Sequence, residues 1–164
     1  MFMDKEQVKD GVEKALRRFL QNELYLLKED VNERSITHIF AEYLKPEFSE
    51  YDIDCEYNRR TEDGNTIPKR LVAMIENTRS DDTDGKTVYP DIIIHKRPDA
   101  EHNLLVIEVK KETNRDDPNG YNDAKKLNGY IAEIGYQYGL FIKFKVKNNY
   151  KDEPTRKWFP ENDR

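Results

Sequence analysis

Between residues 4 and 29, Val8, Val12, Ala15, Leu16, Phe19, Leu20, Leu24 and Leu27 recur at helical spacing with charges between them, which predicts an amphipathic helix. Asp30-Val31-Asn32 interrupts the pattern, and Asn32 reads as the N-cap of a second helix ending near Leu44, before Pro46. Its apolar face is Ile36, Ile39, Phe40, Tyr43 and Leu44. Residues 51–57 alternate, with Tyr51, Ile53, Cys55 and Tyr57 on one side and Asp52, Asp54 and Glu56 on the other, the signature of a strand with one wet face. A long polar connection follows from Arg59 to Thr87, broken only by Leu71-Val72-Ala73-Met74-Ile75, and its length points to a functional or mobile segment.

Two apolar runs come next, Asp91-Ile92-Ile93-Ile94-His95 and Leu104-Leu105-Val106-Ile107-Glu108-Val109-Lys110, joined by a polar stretch of hairpin length. A helix over about 121–135 buries Ala124, Leu127, Ile131 and Ile134, and residues 139–146 alternate again. The tail, residues 147–164, is charged, holds Pro154 and Pro160, and reads as peripheral, with Trp158-Phe159 docking it. The central strands are apolar on both parities, so the prediction is one α/β domain whose mixed sheet is covered on both faces. Residues 30–146 form its core, and residues 4–29 add an N-terminal helix.

Composition narrows the setting. A chain of 164 residues suits one domain with a real core. Charged residues make up 37% and apolar ones 36%, yet the apolar ones gather into periodic segments, which argues against disorder. Cys55 is the one cysteine, so no internal disulfide forms, and no Cys/His cluster has zinc spacing. There is no signal-like stretch and no run of about 18 apolar residues, so the expectation is a cytoplasmic protein with no membrane partner. The formal charge of −5 is unlike that of a protein that clings constantly to nucleic acid.

Glu108 and Lys110 interrupt an otherwise apolar strand, and their spacing of two puts them on one face. If His95 pairs with Leu104, Ile93 pairs with Val106 and Asp91 stands opposite Glu108. Opposed residues have Cβ atoms roughly 5 Å apart, and like charges so placed are destabilising. Two such carboxylates need a proton, a lysine or a metal between them. Mg²⁺ is the natural filler, because it takes oxygen ligands and keeps positions for water and phosphate. Glu33, at the start of the second helix and on its inward face, is placed to supply a further ligand, directly or through water.

These residues resemble the PD-(D/E)XK nuclease superfamily, the restriction-endonuclease-like fold. Pro90-Asp91 precedes an apolar strand, Glu108-Val109-Lys110 ends the next, and Asn32-Glu33-Arg34 is similar to the superfamily's first acidic motif. Asp123-Ala124-Lys125-Lys126-Leu127 resembles the downstream helix that brings a basic residue to the site. The likeness covers about residues 30–146 in αβββαβ order. It implies a DNA endonuclease dependent on Mg²⁺, with Mn²⁺ able to substitute. Asp91 and Glu108 would be its ligands, Glu33 an accessory ligand, and Lys110 would orient the attacking water or steady the phosphate. The tripeptide (D/E)-x-K occurs three times, but only Glu108-Val109-Lys110 ends an apolar strand, so context selects it.

Other residues weigh less. Arg59, Arg60, Lys69 and Arg70 are candidate phosphate contacts and equally solvated charges, and Lys126 is a further candidate that more often reads as a solvated helix lysine. Glu33 also suits a plain first-turn helix acid. His38 and His95 read as packing or hydrogen-bonding residues, and Cys55 as a small core residue. Two alternatives stay open: a binding or regulatory module that keeps the fold without catalysis, and an RNA endonuclease using the same centre. A homodimer is compatible with the sequence.

Overall fold

The computed structural model describes residues 2–57, 59–62, 65–68, 70–71, 86–98 and 101–162; for 59–62, 65–68, 70–71 and 86–87 it describes the backbone alone. Helix α1 (Lys5–Asn22) starts at a capping box: Asp4 accepts from the Gln7 amide while the Gln7 side chain accepts from the Asp4 amide. Val8, Val12, Ala15, Leu16 and Phe19 are buried, as the periodicity predicts. The single helix expected to residue 29 is instead broken at Glu23, and α2 (Leu24–Lys28) follows. The Glu23 carboxylate accepts a hydrogen bond from the Tyr43 hydroxyl, and the bend beside it carries Leu27 into the core. Helix α3 (Glu33–Leu44) begins as expected, with Asn32 Oδ1 accepting from the Ser35 amide at 2.8 Å.

Among the described residues the main sheet has five strands in the order β1-β6-β7-β8-β9. These are β1 (Asp52–Cys55), β6 (Ile92–His95), β7 (Leu105–Lys111), β8 (Tyr138–Phe144) and β9 (Thr155–Phe159). The intervening chain forms two small antiparallel pairs, β2 (Arg59–Glu62) with β3 (Asn65–Pro68) and β4 (Arg70–Leu71) with β5 (Lys86–Thr87). The architecture is thus mixed α/β, with one parallel pair: β7 and β8, connected through α4 (Tyr121–Gly129), run parallel, and the other neighbours are antiparallel. The alternation of β7 splits the core. Leu105, Ile107 and Val109 pack with Ile92, Ile94 and the residues of α1 and α3, whereas Val106 joins Ile93, Leu127 and Tyr130 on the α4 face. No helix among the described residues is long and apolar enough to cross a membrane.

Three expectations need correction. Residues 147–164 are not peripheral throughout, because β9 hydrogen-bonds along β8 and Phe159 is fully buried against the α4 face. The helix expected to residue 135 stops being α-helical at Gly129 and continues as a π-turn over Tyr130–Ile134. There the Tyr130 carbonyl accepts from the amides of both Gly135 and Tyr136, and Gly135 takes a left-handed conformation (φ 90°) that favours glycine. Cys55 is exposed rather than in the core, because β1 ends there and Glu56 turns away with φ 52°.

The buried edge strand makes a prediction. Phe159→Ala should cost about 3 kcal/mol and lower Tm by about 10 °C in a chain of this size. An unchanged thermal melt would return residues 155–159 to a peripheral role.

Candidate functional site

The β6–β7 ladder pairs Ile92 with Ile107, Ile93 with Val106 and Ile94 with Leu105, the expected register. One step further, Asp91 stands opposite Glu108, just beyond the last ladder pair. Asp91 is fixed twice: its Oδ2 accepts from the Val109 amide at 2.8 Å, and its carbonyl accepts from the Glu56 amide at 3.2 Å. Glu108 is only 3% exposed. The two acids are therefore brought together on the α4 side of the sheet, and one of them is out of water.

Helix α4 answers both charges of β7. Lys126 Nζ lies 3.0 Å from Glu108 Oε1 and donates to the Tyr89 carbonyl at 3.0 Å, with the Tyr130 ring centre 6.0 Å away. Asp123 Oδ2 lies 3.6 Å from Lys110 Nζ. Asp123 and Lys126 are three apart on a helix, so they share a face, and they meet Glu108 and Lys110, which are two apart on a strand. Glu108 is held well above the ordinary carboxylate range, first by burial, then by the Asp91 charge and a hydrogen bond to it, with Lys126 opposing. Asp123 is raised too, chiefly by burial, with Asp117 and Asp91 adding and Lys110 and Lys126 opposing. Burial works against the Lys126 ammonium, but the charges of Glu108 and Asp91 outweigh it and raise its pKa. Beyond the ion pairs, Glu108 Oε1 and Asp123 Oδ2 have no hydrogen-bond partner, and the buried hydroxyls of Tyr130 and Tyr136 have none either.

Glu33 does not join the pair. Its Oε2 accepts from the Lys111 amide at 3.1 Å and from Asn114 Nδ2 at 2.8 Å, so it braces the end of β7. Among the described residues no three His, Cys, Asp or Glu side chains gather as a metal-holding group. Glu33 instead lines a cleft of about 530 Å³ with Asp91, Thr37, His38 and Cys55. His38 is exposed on that cleft rather than packed. His95, by contrast, sits 2.7 Å from Asp54 Oδ2, a hydrogen-bonding role as expected. Partial desolvation beside the sheet edge, with the charges of Asp54, Asp91 and Glu56, pushes the Cys55 thiol up to about 11, so it is no ready nucleophile even though the residue is exposed.

Of the expected phosphate contacts, Lys126 is turned inward to Glu108 rather than left as a solvated helix lysine. The side chains of Arg59, Arg60 and Arg70, and the whole of Lys69, lie outside the described residues. Sequence reasoning missed Asp123. Its signal was present: an acid and a lysine one helical turn apart, in the same acid-then-lysine order as Glu108 and Lys110. No family model, curated protein or solved structure matches the chain.

The raised Glu108 fixes a sign. The folded protein keeps a proton on Glu108 where the unfolded chain, with an ordinary glutamate near 4.5, has released it. Folding then takes up a proton, and stability falls as pH rises from that value through the raised one. Glu108→Gln has no proton to lose and keeps an oxygen for Lys126. Its Tm should exceed that of the wild type by a few degrees near neutral pH, with the gain vanishing toward pH 4. A gain of the same size at both pH values would show that titration of Glu108 is not its source.

Proposed function

We propose that this protein is a metal-dependent phosphodiesterase that hydrolyses the DNA backbone, using Mg²⁺ held by Asp91 and Glu108 with Lys110 beside them. The observation that carries this reading is the juxtaposition of Asp91 with a Glu108 almost wholly withdrawn from water. Such a pair demands positive charge, and Lys126, 3.0 Å from Glu108 Oε1, supplies one such charge for the two acids. Two carboxylates are sufficient for Mg²⁺, which usually takes one or two and fills its other positions with water and substrate phosphate. The donor set therefore fits the ion without a third acid.

When bound, Mg²⁺ lowers the pKa of its water and offsets the charge that builds on the phosphate oxygens. The chain's own groups do the rest. The Val109 amide holds one Asp91 oxygen, which fixes the carboxylate toward Glu108. Lys110 offers a fixed positive charge two residues along, where it suits a phosphate oxygen. Glu33 holds the end of β7 and the loop at Asn114 in register with α3. Within this acidic chain Arg59, Arg60, Lys69 and Arg70 lie close together in sequence and are proposed as the phosphate-tracking residues.

One feature favours a second reading, a binding or regulatory module without catalysis: Lys126 and Asp123 already neutralise Glu108 and Lys110. A single experiment separates the two readings. Purified wild type, Asp91→Ala and Lys110→Ala are incubated with plasmid and Mn²⁺ or Mg²⁺, and with single-stranded RNA in parallel. The wild type should nick plasmid, and each variant should lose about a hundredfold or more in rate. Equal cleavage by all three rules out these roles, no cleavage by any favours the module, and cleavage of RNA alone moves the substrate class.

A further inference from the structure

The same two α4 residues point to how the site is kept until metal and substrate arrive. We infer that α4 is a clasp that occupies the site with side-chain stand-ins: Lys126 takes the place of the metal cation on Glu108, and Asp123 takes the place of a substrate phosphate on Lys110. Both contacts are poorly exposed. The side chains of Lys126 and Glu108 are 18% and 3% exposed, and those of Lys110 and Asp123 are 14% and 13%. Both put a charge of the ligand's sign against the group that would receive the ligand. An ammonium meets the carboxylate proposed to hold a dication, and a carboxylate meets the ammonium proposed to hold a phosphate.

The surroundings favour a contact made to be exchanged. Lys126 also donates to the Tyr89 carbonyl, so it has a partner that remains when Glu108 is taken from it. Asp123 Oδ2 is buried with no hydrogen bond, and its amide donates to Asp117 Oδ2 at 3.0 Å rather than its side chain capping anything. The buried oxygens without a conventional hydrogen bond, Glu108 Oε1 and Asp123 Oδ2, are the ion-paired atoms themselves, and Asp123 Oδ2 meets Lys110 Nζ only at 3.6 Å. The helix is bounded by Gly120 (φ 66°) before its first residue and by the π-turn and Gly135 (φ 90°) after its last, conformations that let its ends turn without steric cost.

The inference rests on the metal-centre reading, so its test keeps the two apart. The full chain is titrated calorimetrically with Mn²⁺ alone as wild type, Asp91→Ala, Lys126→Met and Lys125→Met. The last removes the same charge from the neighbouring lysine, which lies in the groove on the outer side of α4. Lys126→Met should bind Mn²⁺ about tenfold tighter than wild type, the scale of one displaced charge-assisted hydrogen bond, while Lys125→Met changes little. In parallel, a labelled DNA duplex in EDTA is titrated with Asp123→Asn and, as the charge control, Asp116→Asn. Asp123→Asn should tighten binding several-fold more than the control. If Asp91→Ala binds Mn²⁺ as wild type does, the metal-centre reading fails. If Asp91→Ala loses Mn²⁺ while Lys126→Met matches Lys125→Met, the clasp alone is overturned. Should wild type bind no Mn²⁺, a gain in Lys126→Met supports the clasp and silence in both overturns it. Lys126→Gln serves in the same way if the methionine variant does not fold, and equal effects of Asp123→Asn and Asp116→Asn overturn the phosphate half.

Discussion

A carboxylate that has almost left the solvent, on the central strand of the sheet, sets the terms for everything packed around it. Burying Glu108 as an ion with no partner would cost several kcal/mol, so its neighbours have to answer it. Two of the three remedies open to such a group are present: burial and Asp91 raise its pKa so that it keeps a proton, and Lys126 approaches to 3.0 Å. Each remedy constrains a different element. Asp91 must precede β6 in the one register that opposes it to Glu108, and α4 must cross the sheet with Lys126 inward. The parallel crossover from β7 through α4 to β8 thus has a polar reason for its placement as well as the apolar packing of Leu127 and Tyr130.

The two faces of the sheet show how far this charge reshapes packing. On the side of α1 and α3 the core is aliphatic and aromatic, with Phe19, Phe40 and Phe144 in edge and tilted ring contacts. On the α4 side it is smaller and carries polar groups inside: Glu108, Asp123 and the hydroxyls of Tyr130 and Tyr136. Hydrophobic burial is non-directional, whereas buried polar atoms ask for partners at set places. The first face is packed as scaffold, and the second holds the buried polar groups.

What the sequence made legible follows the same division. Periodicity and the length of the apolar runs located α1, α3, the β6–β7 hairpin, its register and β8, because an apolar face is written in the spacing of residues. The opposition of Asp91 and Glu108 came from that register by simple counting. The break at Glu23 was not legible, since it depends on Tyr43 reaching across from α3. Strand β9 was obscured because Thr155, Arg156 and Lys157 look like a solvated tail and only Phe159 is fully buried. Asp123 was hidden, and Lys126 was offered only by the resemblance, for a subtler reason. Charged helix residues are solvated by default, and these two turn inward only because the facing strand carries their opposites.

The charges also explain why a proton, rather than a further lysine, completes the site. Asp91, Glu108 and Asp123 face Lys110 and Lys126, three acids against two bases. A proton on Glu108, the direction in which burial and the Asp91 charge push it, would leave two acids facing two bases. A third lysine would neutralise the cluster equally well but would bring a flexible side chain whose rotamer entropy is lost on burial. A proton asks for no such space. A bound dication would have to replace that proton, the Lys126 ammonium, or both, because adding two positive charges to a neutral cluster in a low-dielectric setting is unfavourable. Under the proposed metal centre, metal affinity and the α4 contacts would be two expressions of one charge balance, and a change at Asp123 or Lys126 would be felt at Asp91 and Glu108.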